Sequence, residues 1–104
     1  MNIQFFENKN SNSFTARVTG DCDLYNAQHL FRDITEKING GYGAVCIDLS
    51  GVPYLDSSGI WAVIRIIQHS KTKNIDLKFR GITGAVRKVM HLSNILSIIR
   101  EESP

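Results

Sequence analysis

The hydrophobic period of this chain changes repeatedly along its length, and each change limits what the segment can become. In "SFTARVTG" (13–20), Phe14, Ala16 and Val18 alternate with Thr15, Arg17 and Thr19. A period of two puts one set on each face of a half-buried strand. The preceding "IQFF" (3–6) and the polar turn "NKNSN" make that strand the second arm of a hairpin. After Gly20 the spacing becomes helical: Ala27, Leu30, Phe31, Ile34 and Ile38 share one face. Asp23 or Asn26 can cap this helix, and Gly40-Gly41 ends it. "AVCIDL" (44–49) is almost continuously apolar over a short length, as in a buried central strand, and Cys46 within it reads as a small buried hydrophobe.

Two further alternations follow. Ile60, Val63, Ile64 and Ile67 recur at i, i+3, i+4 and i+7, then Ile75, Leu77 and Phe79 alternate with Asp76, Lys78 and Arg80. "GITGAVRKVMHL" (81–92) predicts a short helix capped by Thr83, with Val86, Val89 and Met90 inward. "ILSII" (95–99) has the composition of a last short strand. The predicted order is β-β-α-β-α-β-α with a final short strand: an α/β domain whose mixed sheet packs against helices. A chain of 104 residues suits one such domain over 1–104.

Composition narrows the functional classes. A net charge of +2 does not favour direct nucleic-acid binding, and Lys71, Lys73, Lys78, Arg80, Arg87 and Lys88 read as a solvated surface. No apolar run reaches the roughly 18 residues of a membrane span. "MNIQFFENKN" does not resemble a signal peptide, so the expected location is cytoplasmic. Cys22 and Cys46 form no C-x-x-C, and no disulfide framework is expected. His29, His69 and His91 lack metal-ligand spacing, no G-x-S-x-G elbow is present, and "GGYG" (40–43) is a helix-ending turn. No cofactor is implied.

The informative motif is "LDSSG" (55–59), at the junction between the "AVCIDL" strand and the following helix. Carboxyl ends of strands are where open α/β sheets carry function. Asp and Ser are also preferred helix caps, so capping alone accounts for the residue types. A phosphate on either serine would add a charge of about −1.5 to −2 beside Asp56, at a helix terminus that tolerates anions. Trp61 lies about 100° around the helix from Ile60, off the apolar stripe. It suits either an interface anchor or boundary packing.

The order of elements and "VCIDLSGVPYLDSSGI" (45–60) together resemble the STAS-domain proteins of the bacterial anti-sigma factor antagonist (anti-anti-sigma) type. "VTGDCD" (18–23) and "AVRKVMHLSNILSII" (85–99) extend the resemblance over nearly the whole chain. It implies phosphorylation of the first serine, Ser57, by a serine kinase that is also an anti-sigma factor, of the histidine-kinase-like ATPase type. Spacing alone leaves Ser58 as the alternative. The unphosphorylated form would bind that kinase and free a sigma factor; a serine phosphatase would restore it. Asp23, Asp56, Ser57, Ser58 and Gly59 would face the partner, with Trp61 beside them. The chain departs from the family in Asp21-Cys22 before Asp23 and in the bulk of Trp61. Two other readings are a STAS subunit of another assembly, such as a lipid-transport complex or stress-signalling scaffold, and a small enzyme with a serine nucleophile, for which the sequence offers no convincing base.

Overall fold

The chain folds around one four-stranded sheet in the order β1-β2-β3-β4. The structure is a computed structural model and describes residues 1–102. The strands are β1 (Asn2–Asn8), β2 (Ser13–Thr19), β3 (Ala44–Gly51) and β4 (Asp76–Arg80). The helices are α1 (Ala27–Ile38), α2 (Ser57–Thr72) and α3 (Gly84–Leu92), and a 3-10 turn covers Leu96–Ile98. β1 and β2 form the expected antiparallel hairpin, with Phe5 opposite Ala16 and Ile3 opposite Val18. Asn12, at φ 50°, turns the chain between them in the left-handed region that Asn tolerates. β2–β3 and β3–β4 are parallel, with Ala16 beside Ile47 and Ile47 beside Phe79. The sheet is therefore mixed, as predicted.

The period of two sorts each strand. Phe14, Ala16 and Val18 are buried with Val45, Ile47 and Leu49 and with Phe79. Against them α1 buries Ala27, Leu30, Ile34 and Ile38; α3 adds Val86 and Met90 to the same cluster. Full burial of each such aliphatic side chain contributes about 1.5–3 kcal/mol against exposure. On α2 the buried arc is wider than the expected stripe. Ile60, Val63 and Ile67 are inside, as are Ala62 and Ile66, whereas Ile64 is only half-buried. α2 packs on both α1 and β4, so more of its circumference is covered than a single apolar stripe describes.

The opposite face of β3 departs from a simple apolar strand. Cys46 is half-buried, and its Sγ donates to a Glu102 carboxylate oxygen at 3.2 Å. Its neighbours Val45 and Ile47 take the core face, which by alternation puts Cys46 on the other. Burial first, and Glu102 second, push its thiol up to about 12. Asp48 shares this face and is buried. Its carboxylate accepts from the Ser50 amide at 2.9 Å and from Arg80 at 3.3 Å, with Arg17 at 3.7 Å. Burial alone would raise its pKa; the Ser50 bonds and the Arg80 guanidinium hold it below the usual carboxylate value.

The expected final strand is a 3-10 turn, followed by a single-bridge contact. Ser97 Oγ donates to the Asn94 carbonyl at 3.0 Å, a local bond that favours the tight turn over extension. Beyond it the chain touches the free edge of β4. The Phe79 amide donates to the Arg100 carbonyl, the Glu102 amide donates to the Phe79 carbonyl, each at 2.8 Å, and Phe79 bridges Glu101 in parallel. Arg100 pairs with Asp76, Arg87 with Glu101, and Arg80 with Glu102. Two of the six basic residues read as solvated thus take part in ion pairs.

Candidate functional site

Two loops meet at the carboxyl edge of the parallel strands, and one residue joins them. The Cys22 amide donates to the Tyr54 carbonyl at 2.9 Å, the Asp56 amide donates to the Cys22 carbonyl at 3.3 Å, and Cys22 forms a parallel bridge with Leu55. Cys22 and Leu55 are buried, so the link is held by packing as well as by hydrogen bonds. It brings the Asp23 segment beside the serine loop. Gly59 then fits under Cys22. A Cβ there would stand 2.5 Å from the Cys22 carbonyl oxygen and 2.9 Å from its Sγ, closer than atoms pack. Gly59 is buried, and this close approach is what the structure shows of it.

Asp56 alone caps α2. Its backbone is extended, and Oδ1 accepts from the Ser58 amide at 2.8 Å and the Gly59 amide at 3.2 Å. This satisfies amides that a helix terminus leaves without partners. Neither serine hydroxyl is the cap, which corrects the expectation that one serves that role. Ser57 is the first residue of α2 and is exposed; Ser58 is half-buried. At α1, Asn26 holds the cap position without a side-chain cap bond, its Nδ2 donating instead to the Asp21 carbonyl at 2.9 Å. Asp23 Oδ1 accepts from the Tyr25 and Asn26 amides and fixes the turn before the helix. Thr83 likewise holds the cap position of α3 without a side-chain bond.

A shallow pocket of about 310 Å³ lies between the two helix starts, lined by Leu24, Ala27, Gln28, Ser57, Ser58 and Trp61. Trp61 is 41% exposed, and its ring packs on Phe31 with centroids 5.6 Å apart. The Arg65 guanidinium lies 5.6 Å from the Phe31 ring and 6.0 Å from that of Trp61. One part of Trp61 therefore packs at a helix boundary and the rest is open. Leu24 and Tyr25 are 71% and 88% exposed, and Tyr54 is also exposed. Sequence periodicity overlooked these three. For Leu24 and Tyr25 the available signal was "DLYN" (23–26), which places apolar residues outside the stripe of α1.

Burial, reinforced by Asp56 and then Asp23, pushes the Cys22 thiol up to about 12, so it is protonated and a poor nucleophile near neutral pH. His29 Nε2 is 2.6 Å from Asp33, and His69 Nε2 is 2.8 Å from Asn39 Oδ1. Among the described residues no group of His, Cys, Asp or Glu is arranged to hold a metal ion, and no helix is long and apolar enough to cross a membrane.

Comparison with known proteins bears on this arrangement. A STAS-domain protein of Pseudomonas aeruginosa strain UCBPP-PA14 is 24% identical over 100 residues, covering 96% of this chain and 98% of its own. An anti-sigma factor antagonist from Mycobacterium paratuberculosis superposes with a TM-score of 0.85 at 19% identity, over 99% of this chain and 86% of that one. The anti-sigma factor antagonist SpoIIAA in its unphosphorylated form gives 0.78 at 17% identity, over 98% and 89%. The fold also recurs in a sulfate transporter family protein from Wolinella succinogenes, at 0.74 and 12% identity, over 85% and 71%. The STAS domain family model matches residues 7–103. With that match spanning almost its whole length, the chain belongs to the STAS domain family.

Proposed function

We propose that the protein is an anti-sigma factor antagonist: a phosphorylation-switched binding module, not an enzyme, that works in the cytoplasm. The observation that carries this reading is the exposed Ser57 at the first turn of α2, beside a pocket rimmed by Leu24 and Trp61. Unphosphorylated, this surface docks an anti-sigma factor that is also a serine kinase of the histidine-kinase-like ATPase type, and a sigma factor is released. Asp23, Asp56 and Ser58 flank the contact, and Trp61 anchors it. Phosphate on Ser57 adds about −1.5 to −2 of charge close to Asp56. The α2 terminus tolerates that charge, so the fold survives. A partner surface without a matching cation meets repulsion and desolvation. A penalty of a few kcal/mol weakens docking on the order of a hundredfold. A serine phosphatase reverses the change. Exposure favours Ser57 over the half-buried Ser58 as acceptor.

The kinase, ATP and Mg²⁺ test this reading. Ser57→Ala is expected to take no phosphate and to bind the kinase constitutively, Ser57→Asp to bind more weakly, and Ser58→Ala to remain a substrate, with phosphate located by peptide fragmentation. Phosphate on Ser57→Ala, or equal kinase affinity before and after modification, would reject the switch. The recurrence of the fold in a sulfate transporter family protein favours a second reading, a STAS subunit of another assembly. Co-purification with a transporter subunit in place of a kinase would select it.

A further inference from the structure

A second pocket lies at the far end of α2, about 20 Å from Ser57 at 1.5 Å per residue. It has a volume of about 200 Å³. Its walls include Ile67, Ile75, Leu77 and Phe79 on one side and Ile98 and Ile99, from the C-terminal segment clamped to β4, on the other. Two observations set it apart from an ordinary packing defect. Ser70, which lines it, is 1% exposed, and its Oγ has no hydrogen-bond partner among the described residues. An unpaired buried hydroxyl is unfavourable, and native structures hold few. Second, the lining also includes two cations, Lys71 and Arg100, both exposed. Arg100 pairs with Asp76; Lys71 has no carboxylate within ion-pair distance among the described residues.

We propose that this pocket binds a medium-chain alkyl carboxylate. The alkyl chain lies along Ile67, Ile75, Leu77 and Ile98. The carboxylate accepts a hydrogen bond from Ser70 Oγ and faces the Lys71 ammonium and the Arg100 guanidinium. A volume of about 200 Å³ suits a short alkyl chain such as that of octanoate rather than that of a long-chain lipid. Charge complementarity selects a carboxylate over an alkylamine, and the orphaned hydroxyl selects it over a plain hydrocarbon. The Ser70 hydroxyl is itself buried, so the carboxylate reaches it as the side chains around it shift.

Titration of the full chain with octanoate, followed by methyl NMR, tests the assignment, with 1-octanol as the uncharged control. Octanoate is expected to shift the methyl resonances of Ile67, Ile75, Leu77, Ile98 and Ile99 and to bind more tightly than 1-octanol. Ser70→Ala is expected to fold at least as stably, because it removes an unpaired hydroxyl, yet to bind octanoate at least about tenfold more weakly. Lys71→Gln, an exposed change that keeps the fold, is expected to weaken octanoate about fivefold at low salt and to leave 1-octanol unchanged. If Ser70→Ala does not fold, Lys71→Gln carries the test. The proposal is overturned by absence of shifts at millimolar octanoate, by shifts centred away from these residues, by equal binding of 1-octanol, or by variants that bind octanoate as the parent does. Neither substitution touches Ser57, so phosphorylation by the kinase remains a separate readout.

Discussion

Asp56 and Gly59 divide the work at the serine loop, and each makes a distinct prediction. Removing the Asp56 carboxylate leaves the Ser58 and Gly59 amides without their acceptor. Asp56→Ala should therefore cost about 0.5–2 kcal/mol in a urea denaturation series, the usual range for an N-cap. Ser58→Ala should change stability by no more than about 0.5 kcal/mol, because its hydroxyl is not the cap. Gly59→Ala is a steric test. Its new methyl would stand 2.5 Å from a backbone oxygen, so either α2 or the Cys22 segment has to shift. We expect a loss of about 1–3 kcal/mol from overpacking, with weaker kinase binding from the displaced loops. Of these roles, only the capping aptitude of Asp56 is visible in the sequence. That Gly59 must be small depends on Cys22, which is distant in the chain and sits where hydrophobic periodicity breaks off.

At the scale of elements, legibility follows how local the deciding interaction is. β2, β4 and the three helices carry their own periodicity, so their type and order can be read directly. The wide buried arc of α2 cannot, because it depends on α1 and β4 lying beside it. "ILSII" has the composition of a strand, and the Ser97 bond to Asn94 decides for the turn. The same contrast between packing and surface charge governs α3. Met90 is fully buried, so Met90→Ala should cost about 2–5 kcal/mol. Arg87→Gln, which removes a pair with Glu101 and a hydrogen bond to the Ile82 carbonyl, should cost about 1–2 kcal/mol. Equal losses for the two variants in thermal unfolding would mean that the C-terminal clamp, not the apolar face, holds α3.

For the whole molecule, one charge centre ties the sheet to pH. Asp48 is anchored by Ser50 and Arg80, and its pKa is lower folded than unfolded. Such a group stabilises fully above its unfolded value, about 3.9 for Asp, and loses that contribution as pH falls through the lower folded value. Melting temperature should be insensitive to this group from neutral pH down to about 5 and should drop below about 4. Asp48→Asn should flatten that acid limb while costing about 1–3 kcal/mol at neutral pH, since Arg80 loses one of its two charged partners and Arg17 loses the same carboxylate. An acid limb unchanged in Asp48→Asn would move the titration to other carboxylates. The parallel arrangement that joins β2 and β3 also sets α1 and α2 starting from the same edge, with Trp61 beside Ser57. Trp61 is the only tryptophan in the chain. The molecule therefore carries a built-in optical gauge: its entire indole emission originates beside the serine loop, half-shielded by Phe31 and open to whatever docks there. Arrival of a partner, or of a phosphate, can be timed by fluorescence on the unlabelled protein, with no second indole to dilute the signal.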